Sequence, residues 1–136
     1  MTVTIASELV RQILAEAAAC PQVEICGLLF GAGDTITRAQ PCRNVAADPA
    51  HRFEIDPAAL VAAHRAARNG GERIVGHYHS HPTGVAIPSP RDAAQAAPDG
   101  ALWLIAGGDA VRAWRAVADG AIEGRFEAVA LRTEDI

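Results

Sequence analysis

Polar and apolar residues alternate over Thr2–Ile5, the period of a short strand. Leu9, Val10, Ile13, Leu14, Ala17 and Ala18 then recur at helical spacing, which predicts a helix with Ser7 as its N-cap and Pro21 as its stop. Ile25–Phe30 is a continuous apolar run, typical of a buried strand. Gly31-Ala32-Gly33-Asp34 reads as a turn, with Thr35–Ala39 as the returning strand.

Residues 41–51 carry Pro41, Asn44, Asp48 and Pro49 and read as a mobile loop. Phe53–Ile55 is a candidate short strand. Asp56-Pro57 supplies a cap and first residue for a helix reaching about Asn69, stopped by Gly70-Gly71. Arg73–Tyr78 reads as a central strand, followed by a loop with Pro82, Gly84 and Pro88. Ser89-Pro90 opens a short helix that Pro98 and Gly100 close. Ala101–Ala106, Ala110–Val117 and Arg125–Leu131 are three closing strands. Strands on both sides of three helices predict a mixed α/β (α+β) domain.

Composition narrows the function. The 136 residues point to one domain, residues 1–136. Half are hydrophobic and 21% are charged, which supports a packed core and excludes a disordered chain. A net charge of −4 argues against a general nucleic-acid binder, which needs a basic surface. No apolar run reaches the ~20 residues of a membrane span, and no basic leader precedes an apolar core. The three cysteines, Cys20, Cys26 and Cys42, form no C-x-x-C pair and read as reduced thiols. The expectation is a soluble, cytoplasmic protein.

The chemistry concentrates in Gly76-His77-Tyr78-His79-Ser80-His81-Pro82 and Ser89-Pro90-Arg91-Asp92. On a strand reaching His81, His77, His79 and His81 share one face. Two imidazoles at i and i+2 can converge on one ion, with a carboxylate from the next helix as third ligand. Such a set suits zinc and leaves a fourth position for water. Ser89 and Asp92 also fit ordinary helix capping. Glu24 opens an otherwise apolar strand; beside a metal-activated water it would be a well-placed general base.

Together these residues resemble the JAMM/MPN+ metallopeptidase family, whose pattern is E-x-x-G, then H-[ST]-H-P, then S-x-x-D. Here the pattern falls on Glu24 and Gly27, on His79-Ser80-His81-Pro82, and on Ser89 and Asp92. The resemblance implies an MPN-type fold: a mixed sheet or partial barrel flanked by about three helices, with a cytidine-deaminase-like layout. It implies one zinc per chain held by His79, His81 and Asp92. Glu24 would be the proton carrier, Ser89 the oxyanion donor, and Gly27 and Pro82 shape residues. His77 departs from the Trp of many relatives, and its role stays open between supporting His79, touching substrate and plain structure.

The short chain has little room for the insertions that recognise ubiquitin linkages. It looks like the small stand-alone prokaryotic members, which act on ubiquitin-like or sulfur-carrier proteins after a C-terminal Gly-Gly. Arg52–Ile55 is the candidate strand edge for such a tail. Three other readings stand beside this one: a non-catalytic MPN scaffold, a zinc deaminase, and a general or phage or cell-wall metallopeptidase. The full set of motif residues disfavours the scaffold. The missing H-x-E and P-C-x-x-C disfavour the deaminase.

Overall fold

The computed structural model describes residues 1–135. Its elements are β1 (Thr2–Ala6), α1 (Ser7–Ala19), β2 (Cys26–Ala32), β3 (Thr35–Cys42), α2 (Pro57–Arg68), β4 (Arg73–Ser80), α3 (Pro90–Gln95), β5 (Leu102–Gly107), β6 (Ala110–Gly120) and β7 (Gly124–Glu134). The strands form one mixed sheet in the order β1-β3-β2-β4-β5-β6-β7. β7 pairs back onto β1, so the barrel is closed where a partial one was expected. Closure is narrowest between β1 and β3, where Thr4 pairs with Thr35 and Ile5 with Ile36. No helix among the described residues is long and apolar enough to cross a membrane.

Two cores cover the two faces of the sheet. Ile13 of α1 packs in one with Val3, Ile5, Leu29, Tyr78, Leu102 and Leu104. The other gathers Leu28, Phe30, Trp103, Ile105, Trp114 and Phe126 with Phe53, Ile55 and Ala63. Along β2 and β5, successive side chains therefore alternate between two cores and not between core and water. That is why both strands read as unbroken apolar runs. Each fully buried Leu or Ile contributes about 1.5–3 kcal/mol.

Local signals explain most boundaries. Asp56 caps α2 by accepting the Ala58 amide at 3.0 Å, with Pro57 as the first helical residue. Ser7 is not the cap of α1. β1 runs on to Ala6, which pairs with Glu134, so Ala6 occupies the N-cap without a side-chain bond and Ser7 is already helical. β3 runs through Pro41 to Cys42, beyond the expected end at Ala39. Past Ile36 that strand pairs only with β2, so the missing N–H of Pro41 is tolerated.

Two expectations fail around residues 41–55. Phe53–Ile55 is not a strand; one antiparallel bridge joins Ile55 to Asn44. Nor is Arg52–Ile55 an open edge. The Arg52 amide donates to the Asp48 carbonyl at 3.2 Å, and the Phe53 carbonyl accepts from Gln95 Nε2 at 3.4 Å. The Glu54 carbonyl accepts the Val45 amide at 2.9 Å. The loop itself is anchored by Asn44. Its Oδ1 accepts the Ala46 and Glu54 amides at 3.0 Å each. Its Nδ2 donates to the Glu24 and Arg52 carbonyls at 2.9 and 3.0 Å.

Gly27 lies where β2 passes under the Tyr78 ring. A Cβ there would come within 2.3 Å of Tyr78 Cε1 and 2.4 Å of the Gln40 carbonyl oxygen. The Tyr78 hydroxyl donates to Glu16 Oε2 at 2.9 Å, which holds the ring in place. Gly27→Ala should therefore cost about 2–3 kcal/mol of stability through overpacking, read as a lower urea midpoint with unchanged slope.

Candidate metal centre

Strands β2 and β4 run antiparallel with Cys26 opposite His79. One residue further, the Ser80 amide donates to the Ile25 carbonyl at 3.0 Å. The Ile25 amide donates in return to the Ser80 hydroxyl at 2.9 Å, although 55 positions separate the two residues. This register sets Glu24, at the entrance to β2, beside the end of β4. The Glu24 amide donates to the Pro49 carbonyl at 2.8 Å.

Glu24, His79, His81 and Asp92 meet at this point, with one donor atom of each within 4.8 Å of the others. Glu24, His79 and Asp92 are buried, and His81 is half-buried. Asp92 is the third residue of α3 and completes a capping box with Ser89. The Asp92 amide donates to Ser89 Oγ at 3.1 Å, and the Ser89 amide donates to Asp92 Oδ2 at 2.9 Å. Asp92 Oδ1 lies 3.2 Å from His79 Nε2, and Oδ2 lies 3.1 Å from His81 Nε2. The cap thus fixes the rotamer that faces the carboxylate toward both rings.

Hydrogen bonding decides which ring nitrogens face inward. His81 Nδ1 lies 2.8 Å from the Val85 carbonyl, which can only accept, so Nδ1 carries a proton. A neutral His81 therefore turns the Nε2 lone pair toward Asp92 and toward His79 Nε2, 3.1 Å away. Lone pairs and a carboxylate converging this closely repel unless a proton or a cation lies among them. Donors about 2 Å from one tetrahedral metal ion lie ~3.3 Å apart, close to the spacing of these rings. Glu24 Oε1 is buried and has no protein partner. The donor set and its geometry fit a divalent metal ion.

The same burial sets the charges. Desolvation pushes the Glu24 carboxyl up to about 7, with His81 opposing and Asp92 adding to the rise. Burial also works to raise the Asp92 carboxyl, but hydrogen bonds from His79 and His81 outweigh it and hold Asp92 well below the usual carboxylate range. Burial lowers His79. It also works to lower His81, but there Asp92 and the Val85 carbonyl prevail and the ring is raised.

Phe53 closes the cluster from the interior. Its ring stacks on His79 at 4.3 Å with planes 21° apart. His77 lies outside the four-residue cluster, with its ring edge against Trp103 at 4.3 Å. Burial holds it neutral, down to about 3. Outward, a cleft of about 380 Å³ is lined by Glu24, His51, His81, Thr83, Ser89 and Arg91, among others. The sequence pattern marks neither Asn44 nor the stacking role of Phe53, which enters only within the candidate edge Arg52–Ile55. Phe53 had read as part of a strand and Asn44 as a loop breaker.

Fold and cluster together define a hydrolase of the JAMM type. The chain belongs to the JAB-domain family: the profile of prokaryotic homologs of the JAB domain matches residues 6–117. It is 41% identical over 95 residues to a desampylase of Haloferax volcanii, covering 68% of each chain. It is 39% identical over 83 residues to a probable TtuB-protein conjugate cleaving protease of Thermus thermophilus, covering 58% of this chain and 53% of that protein. A JAB1/MPN domain protein of Archaeoglobus fulgidus shares the fold, with a TM-score of 0.61 at 18% identity over 98% of each chain.

The capping box predicts a measurable contribution. Ser89→Ala removes the bond to the Asp92 amide and should cost about 1 kcal/mol of stability, read by urea unfolding of protein treated with chelator.

Proposed function

We propose that this chain is a zinc-dependent peptidase or isopeptidase of the cytoplasm, working as a single domain over residues 1–136. Its bond is the amide that follows the C-terminal Gly-Gly of a ubiquitin-like or sulfur-carrier protein. The observation that carries this reading is the convergence of Glu24, His79, His81 and Asp92, with Glu24 and His81 lining an open cleft. The substrate class is supported by the relatives, one named a desampylase and one a probable TtuB-protein conjugate cleaving protease.

His79, His81 and Asp92 would hold one zinc per chain. Bound there, zinc would polarise the scissile carbonyl and acidify a water molecule. Glu24, whose Oε1 is buried beside the cluster with no protein partner, would accept the proton of that water and deliver it to the leaving amine. Ser89 Oγ already accepts the Asp92 amide, so its own proton is free to donate to the oxyanion. Arg91 is exposed beside the cleft, where it pairs with Asp48 at 3.5 Å.

Arg52–Ile55 is occupied by Asn44, Val45, Asp48 and Gln95 and leaves no room for the tail. The extended segment between His81 and Ser89 offers an alternative. Val85 and Ile87 are 54% and 40% exposed, while Ala86 and Pro88 between and beyond them are buried. The Ala86 carbonyl accepts Trp114 Nε1 at 3.2 Å, but the Ile87 amide and carbonyl have no partner among the described residues. A tail laid along Ile87 gains backbone hydrogen bonds without needing a side-chain pocket. Glycines at its end let the scissile carbonyl approach Ser89 closely.

Purified protein should contain about one zinc per chain. Elemental analysis finding none, with no uptake on reconstitution, removes the metal assignment. Glu24→Gln should keep the fold and the zinc while turnover falls by about 10²–10⁴-fold. Carriers from the source organism, extended past Gly-Gly, should be cut after the second glycine, as read by intact-mass spectrometry. Cleavage of unrelated peptides with none of any carrier would favour a general metallopeptidase.

A further inference from the structure

We propose that Asn44 is a positioning residue for catalysis: its amide ties the Glu24 backbone to the Arg52–Glu54 segment and so sets where the Glu24 carboxylate meets the metal cluster. This inference rests on the assignment of Glu24 as proton carrier.

Asn44 uses its whole hydrogen-bonding capacity. Both Nδ2 protons are donated, one to the Glu24 carbonyl at 2.9 Å and one to the Arg52 carbonyl at 3.0 Å. Oδ1 accepts two amides, Ala46 and Glu54, at 3.0 Å each. An amide side chain is the group that can donate twice and accept twice from one plane. Three segments, at Glu24, at Ala46 and at Arg52–Glu54, are thereby joined at one side chain. One carries Glu24. Another carries Phe53, between the bonded residues Arg52 and Glu54, and its ring stacks on His79.

Glu24 needs such an anchor because the barrel ladder stops short of it. β2 begins at Cys26, and beyond the bonds between Ile25 and Ser80 the strand β4 adds one long bond, from Ser80 Oγ to the Val23 carbonyl at 3.5 Å. Beyond Ile25 the Glu24 backbone is held by the Pro49 carbonyl and by Asn44 Nδ2. Both partners belong to the 43–51 loop, and the bridge of Asn44 to Ile55 fixes that loop against the core. Displacing a reacting group by about 1 Å can cost about 10²-fold in rate without disturbing the fold.

Asn44→Asp separates this tether from the turn. An aspartate keeps both acceptor bonds but cannot donate, so the bonds to Glu24 and Arg52 are lost. In Asn44→Asp the zinc stoichiometry should match wild type, and hydrogen exchange of the metal-free protein should still show Ala46 and Glu54 protected. The kcat should fall by about 10- to 100-fold with little change in KM. In a Glu24→Gln background the same substitution should lower the residual rate no further. A twofold effect or less on kcat in the wild-type background overturns the proposal. So does an equal loss in both backgrounds, which marks Asn44 as merely structural. If Glu24→Gln is itself fully active, the proton-carrier assignment fails first. A drop in kcat on Asn44→Asp would then have another origin.

Discussion

Two hydrogen bonds between Ser80 and Ile25 extend the β2–β4 ladder one residue past the pair of Cys26 and His79, and the chemistry of this protein depends on that register. In an antiparallel pair, a slip of one residue turns every side chain to the opposite face. Such a slip would carry His79 out of the Phe53 core and Glu24 away from the cluster. The register is guarded from both sides. Tyr78 lies over Gly27 with no room for a Cβ, so no residue bearing a side chain can take that place opposite Tyr78. Leu28 and Leu29 face different cores, so neither can exchange places without leaving a cavity.

Asp92 links the barrel to α3. One carboxylate caps the helix and faces two imidazoles. The capping box needs the acidic side chain turned back over the first helical turn, and that rotamer also aims it at β4. Local helix chemistry thereby positions a group that the cluster requires. Removing the carboxylate would affect both at once, so separating the two contributions requires the Ser89 side of the box.

Burial sets the charges within the cluster. Phe53, Trp103 and Ile105 exclude water from its inner side, and the outer side opens to the cleft. In that setting the two carboxylates diverge. Asp92, bonded to both rings, stays ionised, whereas Glu24, with a buried oxygen lacking a partner, is pushed toward neutrality. The proposed division of work, with Asp92 as a metal ligand and Glu24 as the proton carrier, draws on that difference.

Much was legible in the chain because it is local. Hydrophobic period marked the strands and helices, Asp56-Pro57 marked a helix start, and the spacing of His79 and His81 placed two rings on one face of an extended segment. Ser89 and Asp92 lie within one helical turn, so their pairing could also be read. Other features depend on partners far away in sequence. The N-cap of α1 moved to Ala6 because β7 pairs with β1 there, and Pro41 stayed in a strand because no second strand pairs with β3 past Ile36. The supposed edge at Arg52–Ile55 was already occupied by Asn44, Val45, Asp48 and Gln95. Periodicity reports backbone geometry within a few residues. The meeting of Glu24 with the histidines, and of Asn44 with Glu24, was decided by strand register and long-range hydrogen bonds, which exist only once the barrel has closed.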